Sequence, residues 1–155
     1  MATNTKPIWP GAGIINNGEA GAANLKVVVT GANTSADLTT TTNAVLVFTA
    51  DATNGGIINK LRFKAYNTDG TTATAATCAR IYICDGTLAA ANCTFLGDIT
   101  LPATTMSYTT ATPDYDYQID QPIPAGYKIY VAIGIATGGS TGWAITAFGG
   151  DLTLV

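Results

Sequence analysis

The stretch "IINKLRFKAYN" (57–67) alternates strictly: Leu61, Phe63 and Ala65 fall on one side, Lys60, Arg62 and Lys64 on the other. Successive side chains of a strand point to opposite faces, so this pattern fits a half-buried β-strand and not a helix. It recurs in "TCARIYICD" (77–85), with Ala79, Ile81 and Ile83 on one face and Cys78, Arg80, Tyr82 and Cys84 on the other. "GYKIYVAIGIA" (126–136) alternates as well, and Tyr127, Ile129, Val131, Ile133 and Ile135 are expected inward. Further strand-like runs are "LKVVVT" (25–30), "AVLVFTA" (44–50), "CTFLGDITLP" (93–102), a weaker "DYDYQID" (114–120), "GWAITAFGG" and "DLTLV". Turn signals such as "DATNGG" and "TDG" lie between them. No segment repeats apolar residues at helical spacing over three turns.

Eight or nine short strands without helices predict an all-β fold, an antiparallel β-sandwich of jelly-roll-like arrangement with one packed side per sheet. An immunoglobulin-like topology is the runner-up, but no Trp lies between Cys78 and Cys93, as the Cys…Trp…Cys pattern would require. The 155 residues suit one domain. Residues 1–24, rich in Pro, Gly and Asn and without a period, read as an extended N-terminal arm, and 25–155 as the β-sandwich domain. Ile8 and Trp9, held between Pro7 and Pro10, look like an anchor for the protein's own core or for a neighbour.

Charged residues make up 11% of the chain, against about 25% in an ordinary domain, and Thr, Ala, Gly and Asn take their place. A surface so poor in charge suits contact with other proteins, because interface cores are depleted in charge. The net charge of −3 argues against nucleic acid as a partner. The longest apolar stretch, "IYVAIGIA" (129–136), is too short to cross a bilayer. "MATNTKPIWPGAG" has no basic region followed by an apolar run, so no signal peptide is expected, and synthesis in a cytosol is.

The chain has no His, which removes the commonest general base and metal ligand. Several Ser and Thr hydroxyls therefore lack a partner to activate them, and no enzyme is expected. "GIATGGSTG" (134–142) lacks the Lys-Ser/Thr ending of a phosphate loop and reads as a hairpin connection. Asp114, Asp116 and Asp120 form the one acidic cluster. They suit a solvated strand edge better than a Ca²⁺ site, since the EF-hand glycine and bidentate Glu are missing, and neither metal nor cofactor is expected. Tyr115, Tyr117, Tyr127 and Tyr130 can stack on sugars, but Tyr in strands is commonly structural.

Of three cysteines, Cys84 and Cys93 bracket the turn-rich "DGTLAAAN". Hairpin neighbours can come within bridging distance, whereas cytosolic synthesis and the odd count argue against a disulfide. Lys60, Arg62 and Lys64 raise a similar alternative. They form either a solvated outer face, or a patch that meets an acidic surface, with Asp114, Asp116 and Asp120 of another copy supplying part of it.

The phrases "LVFTADATNGGIINKLRFKAYN", "ARIYICDG", "LGDITLPATT" and "PAGYKIYVAIGIATGGSTGWAITAFGGD" resemble a group of small structural proteins of tailed bacteriophages, the head decoration or cement proteins. The resemblance spans about residues 45 to 151 and carries no residue-level functional motif. It implies a β-sandwich bound to the outside of an assembled capsid in the virion, after synthesis in the bacterial host cytoplasm. Its partners would be the major capsid protein and itself, as a homotrimer at local three-fold positions or a homodimer at two-fold ones. A carbohydrate- or receptor-binding module of a phage fibre or tail is the alternative, with Tyr115, Tyr117, Trp143 or loop aspartates holding Ca²⁺.

Overall fold

The computed structural model describes residues 27–151, and the side chain of Asp151 is left aside. Eight antiparallel strands occur there: β1 (Val27–Val29), β2 (Val45–Thr49), β3 (Gly56–Asn67), β4 (Thr77–Cys84), β5 (Cys93–Leu101), β6 (Asp114–Ile123), β7 (Lys128–Ile133) and β8 (Thr141–Asp151). One 3₁₀ turn, Ala90–Asn92, precedes β5. The strands form two four-stranded sheets, ordered β1-β8-β3-β6 and β2-β7-β4-β5. β1 pairs with β8, β2 with β7, β3 with β6 and β4 with β5. The chain thus closes as a ribbon folded back on itself, each outer pair enclosing the next. The all-β sandwich expected from the alternation is the observed fold. Ile8 and Trp9 lie outside the described residues, as does most of "DLTLV".

The main core lies between the sheets. Leu61, Phe63 and Ala65 of β3 meet Ala79 and Ile81 of β4, Ile129, Val131 and Ile133 of β7, and Trp143, Ile145 and Ala147 of β8. The ring of Tyr115 stands edge-on to Trp143 at 5.6 Å, a favoured aromatic geometry.

Three expectations are corrected. Ile135 points outward and is 56% exposed, because β7 ends at Ile133 and Gly134 turns the chain away. β6 does not stop at residue 120 but continues to Ile123, which is buried. The second sheet is packed on both sides. Leu38, from the connection between β1 and β2, is fully buried on its outer face against Tyr82, Cys84, Tyr130 and Ala132. One large apolar residue among Thr, Asn, Ala and Ser gave no period to read, so the connection looked merely polar.

Candidate functional site: a charge-poor loop end beside two distinct sheet faces

The basic stripe comes first, since it is the densest charge in the chain. Alternation places Lys60, Arg62 and Lys64 on the outer face of β3, and β6 lies alongside with Arg62 opposite Asp116 and Lys64 opposite Asp114. Lys60 Nζ donates to Asp116 at 2.6 Å, Arg62 Nε and Nη2 grip the same carboxylate at 2.8 and 2.9 Å, and Lys64 Nζ reaches Asp114 at 2.8 Å. Arg62 also pairs with Asp114 at 2.9 Å. The Phe148 ring lies beneath Lys60 and Arg62, 5.1 and 5.4 Å from its centroid, within reach of cation–π attraction. Hydrogen bonds from Arg62 and then Lys60 hold the Asp116 carboxyl well below the usual range, and a hydrogen bond from Lys64 lowers that of Asp114. The acidic partner of the stripe is therefore the neighbouring strand of the same chain, neither solvent alone nor the aspartates of another copy, the two alternatives the sequence left open. These charges are already matched, and the face offers little unpaired charge to a partner.

The loops at one end of the sandwich differ in character. Connections 68–76, 102–113 and 134–140 contain a single charged residue, Asp69. They are tied together by hydrogen bonds: Thr68 N donates to Ser140 O at 3.1 Å, Thr74 N to Thr104 O at 2.9 Å, and Tyr108 Oη to Asp69 O at 3.2 Å. Thr104 N in turn donates to Thr74 Oγ1 at 3.0 Å. The Asp69 carboxylate accepts from Thr72 Oγ1 at 2.6 Å, from the amides of Thr71 and Thr72 at 2.9 Å each, and from Ser140 Oγ at 3.1 Å. The Thr72 hydroxyl, followed by the two amides, holds this carboxyl far below its ordinary value. Its lone pairs are satisfied internally, so covering this end would leave few of its polar partners to be stripped of water. What the end presents is methyl and hydroxyl groups, with Tyr108 84% exposed and Ile135 also open to solvent.

The outer face of the second sheet is the third feature. Cys84 and Cys93, directly opposite each other on β4 and β5 with Cα atoms 4.0 Å apart, form a disulfide. Hairpin geometry brings them together, and the cytosolic argument against the bridge does not describe this structure. Cys78 is a free thiol, and its burial pushes its pKa up.

The aromatic residues weighed for sugar stacking have structural places, Tyr127 among them, which packs against the main core. Trp143 is fully buried, Tyr115 packs against it, Tyr117 donates to Leu96 O at 3.2 Å, and Tyr130 lies in the cluster around Leu38. Asp120 stands apart from the paired aspartates in a left-handed conformation, φ 48°. Among the described residues, no group of three or more acidic or thiol side chains gathers as a metal site. No sequence signal marked Tyr108, because an exposed aromatic in a polar loop looks like any other loop residue, and alternation misplaced Ile135 inward. Comparison with family models, with curated proteins and with solved structures gives no match.

Proposed function

We propose that this chain is a non-enzymatic structural protein of a phage virion, a capsid decoration or cement protein that binds the outside of the head and stabilises contacts between capsid subunits. The observation that carries this reading is the loop end: three connections whose one charge, the Asp69 carboxylate, is hydrogen-bonded internally, pinned together and presenting Tyr108 and Ile135. An interface core of this kind is depleted in charge and carries an aromatic anchor. The nested strand pairing supports the jelly-roll-like reading of the sandwich. A homotrimer or homodimer would repeat the same patch around a closed axis, and many modest contacts on a shell act together through multivalency. The partner in this reading is the major capsid protein, contacted without cofactor, membrane or nucleic acid.

The test is occupancy on purified capsids. Tyr108→Asp with Ile135→Asp places two charges on the loop end at exposed positions, so the fold is expected to persist by circular dichroism. Occupancy is expected to fall at least tenfold, as loss of an interface anchor implies. Full occupancy by the folded double variant would remove the loop end from the mechanism.

A further inference from the structure

The outer face of the second sheet holds a cavity of about 490 Å³. Its floor is the paired strands β4 and β5. Tyr82 and Phe95 stand opposite each other with ring centroids 5.7 Å apart, and beyond the Ile81–Gly97 pair Arg80 stands opposite Asp98. Asp37 and its neighbours in the β1–β2 connection form one wall. That wall is fixed: Arg80 donates to Asn33 O, Tyr82 Oη donates to Ala36 O at 2.9 Å, and the Asn33 side chain donates to Thr40 O and Thr42 O. Cys93, at the rim, is held by the disulfide.

Two observations set this cavity apart from the stripe on the other sheet. Phe95 leaves 49% of its surface open, although it is a large apolar side chain beside a place to pack. Arg80 and Asp98 occupy facing positions, yet no ion pair joins them, whereas Lys60, Arg62 and Lys64 all close onto β6. An extra residue in β5, at the shift between Ile81 and Tyr82, displaces the strand next to Asp98. The result is an open aromatic face, a guanidinium with one hydrogen bond among the described residues, and two carboxylates, all bordering one space.

We infer that this cavity is a binding site for a neutral saccharide. A pyranose ring has an apolar C–H face that can lie on Phe95, and hydroxyls that can donate to the carboxylates of Asp98 and Asp37 while accepting from Arg80. Hydrogen bonds to charged groups are the strong ones, which suits a small, wet ligand. The rim carries two carboxylates against one guanidinium, so an anionic sugar is disfavoured. The volume falls within the range of small-molecule sites. This site lies away from Tyr115, Tyr117 and Trp143, and it does not rest on the capsid reading.

Amide chemical shifts in ¹⁵N-labelled full-length protein would test it, with the methyl glycosides of glucose, mannose, galactose and N-acetylglucosamine as probes. At least one is expected to give saturable shifts confined to the neighbourhoods of Asp37, Tyr82, Phe95 and Asp98. Phe95→Ala is expected to abolish them. Asp98→Asn is expected to weaken binding about tenfold, the size of one lost charge-assisted hydrogen bond. N-acetylneuraminic acid is expected to bind more weakly than the best neutral glycoside. The inference is overturned if no glycoside shifts these amides, if the shifts survive Phe95→Ala, or if lysine methyl ester is preferred to every sugar. Both side chains are at the surface, so thermal melts near the wild-type value are expected; were Phe95→Ala to unfold, Asp98→Asn decides alone.

Discussion

Gly149 is one position where a single hydrogen atom is all the fold admits. It lies opposite Ile58 where β8 passes β3, just before the register slips between Ile58 and Lys60. A Cβ there would run into the carbonyl oxygen of Ile57 and come within 2.9 Å of Ile58 Cα, both main-chain atoms that cannot rotate aside. Gly149→Ala should therefore cost about 1–3 kcal/mol, the usual range for forcing extra volume into a packed site. A lowered urea midpoint with an unchanged slope would show it; an unchanged midpoint would mean that the two strands can part there at no cost. Gly97 is restricted differently: it has a positive φ, and a side chain there would meet the end of the Tyr117 side chain. Neither restriction was legible in the sequence, where these glycines look like any others in a strand. What the sequence did show at this scale was the side of β3 on which each residue falls: Leu61, Phe63 and Ala65 are buried, and Lys60, Arg62 and Lys64 face out. The partner of that stripe was hidden because it depends on which strand lies alongside, and β6 is some fifty residues away in the chain, as the Lys64–Asp114 separation of 50 shows.

At the scale of elements, most strands were legible because alternation is a local property, while the coverings were not. The connection that carries Leu38 folds onto the outer face of the second sheet through backbone hydrogen bonds such as Asn33 N to Ile133 O at 2.7 Å, which leave no mark in the residue pattern. The saccharide cavity is a product of the same folding-over, since Ala36 and Asp37 line it only once that connection is in place. The β4–β5 hairpin forms the rest of its rim, and its disulfide closes a sequence separation of 9 residues. A loop of that size, closed in the unfolded chain, contributes about 2–3 kcal/mol in the chain-entropy account. Urea unfolding with and without dithiothreitol should differ by that amount. Equal stabilities would mean that the reduced hairpin is as ordered as the bridged one, and that the bridge is not needed to hold Cys93 at the cavity rim.

For the whole molecule, the chain's scarcity of charge makes its pH dependence unusually simple to derive. The carboxyls of Asp37, Asp51, Asp69, Asp114 and Asp116 all lie below their ordinary values, and hydrogen bonds are the first cause in each case: Ser35 for Asp37, the Asn54 amide for Asp51, Thr72 for Asp69, Lys64 for Asp114 and Arg62 for Asp116. A carboxyl lowered on folding contributes stability that is fully present above its unfolded pKa of about 4 and is lost as pH falls through the folded value. At the other extreme, burial raises the Cys78 thiol and the Tyr82 and Tyr130 phenols. Their contribution is fully present below the unfolded values, about 8.5 and 10, and is lost as pH rises through the folded ones. With no His in the chain, no side chain of that type titrates in the interval between these limits. The melting temperature should thus stay level from about pH 5 to 8, fall below about pH 4, and fall again above about pH 9. Asp116→Asn isolates the paired face: it should melt lower than wild type on the plateau and converge with it in acid, where the wild-type carboxylate is also neutralised. Parallel acid limbs for the two proteins would show that the match between β3 and β6 contributes nothing to stability, and that the stripe is held in place by the sheet alone.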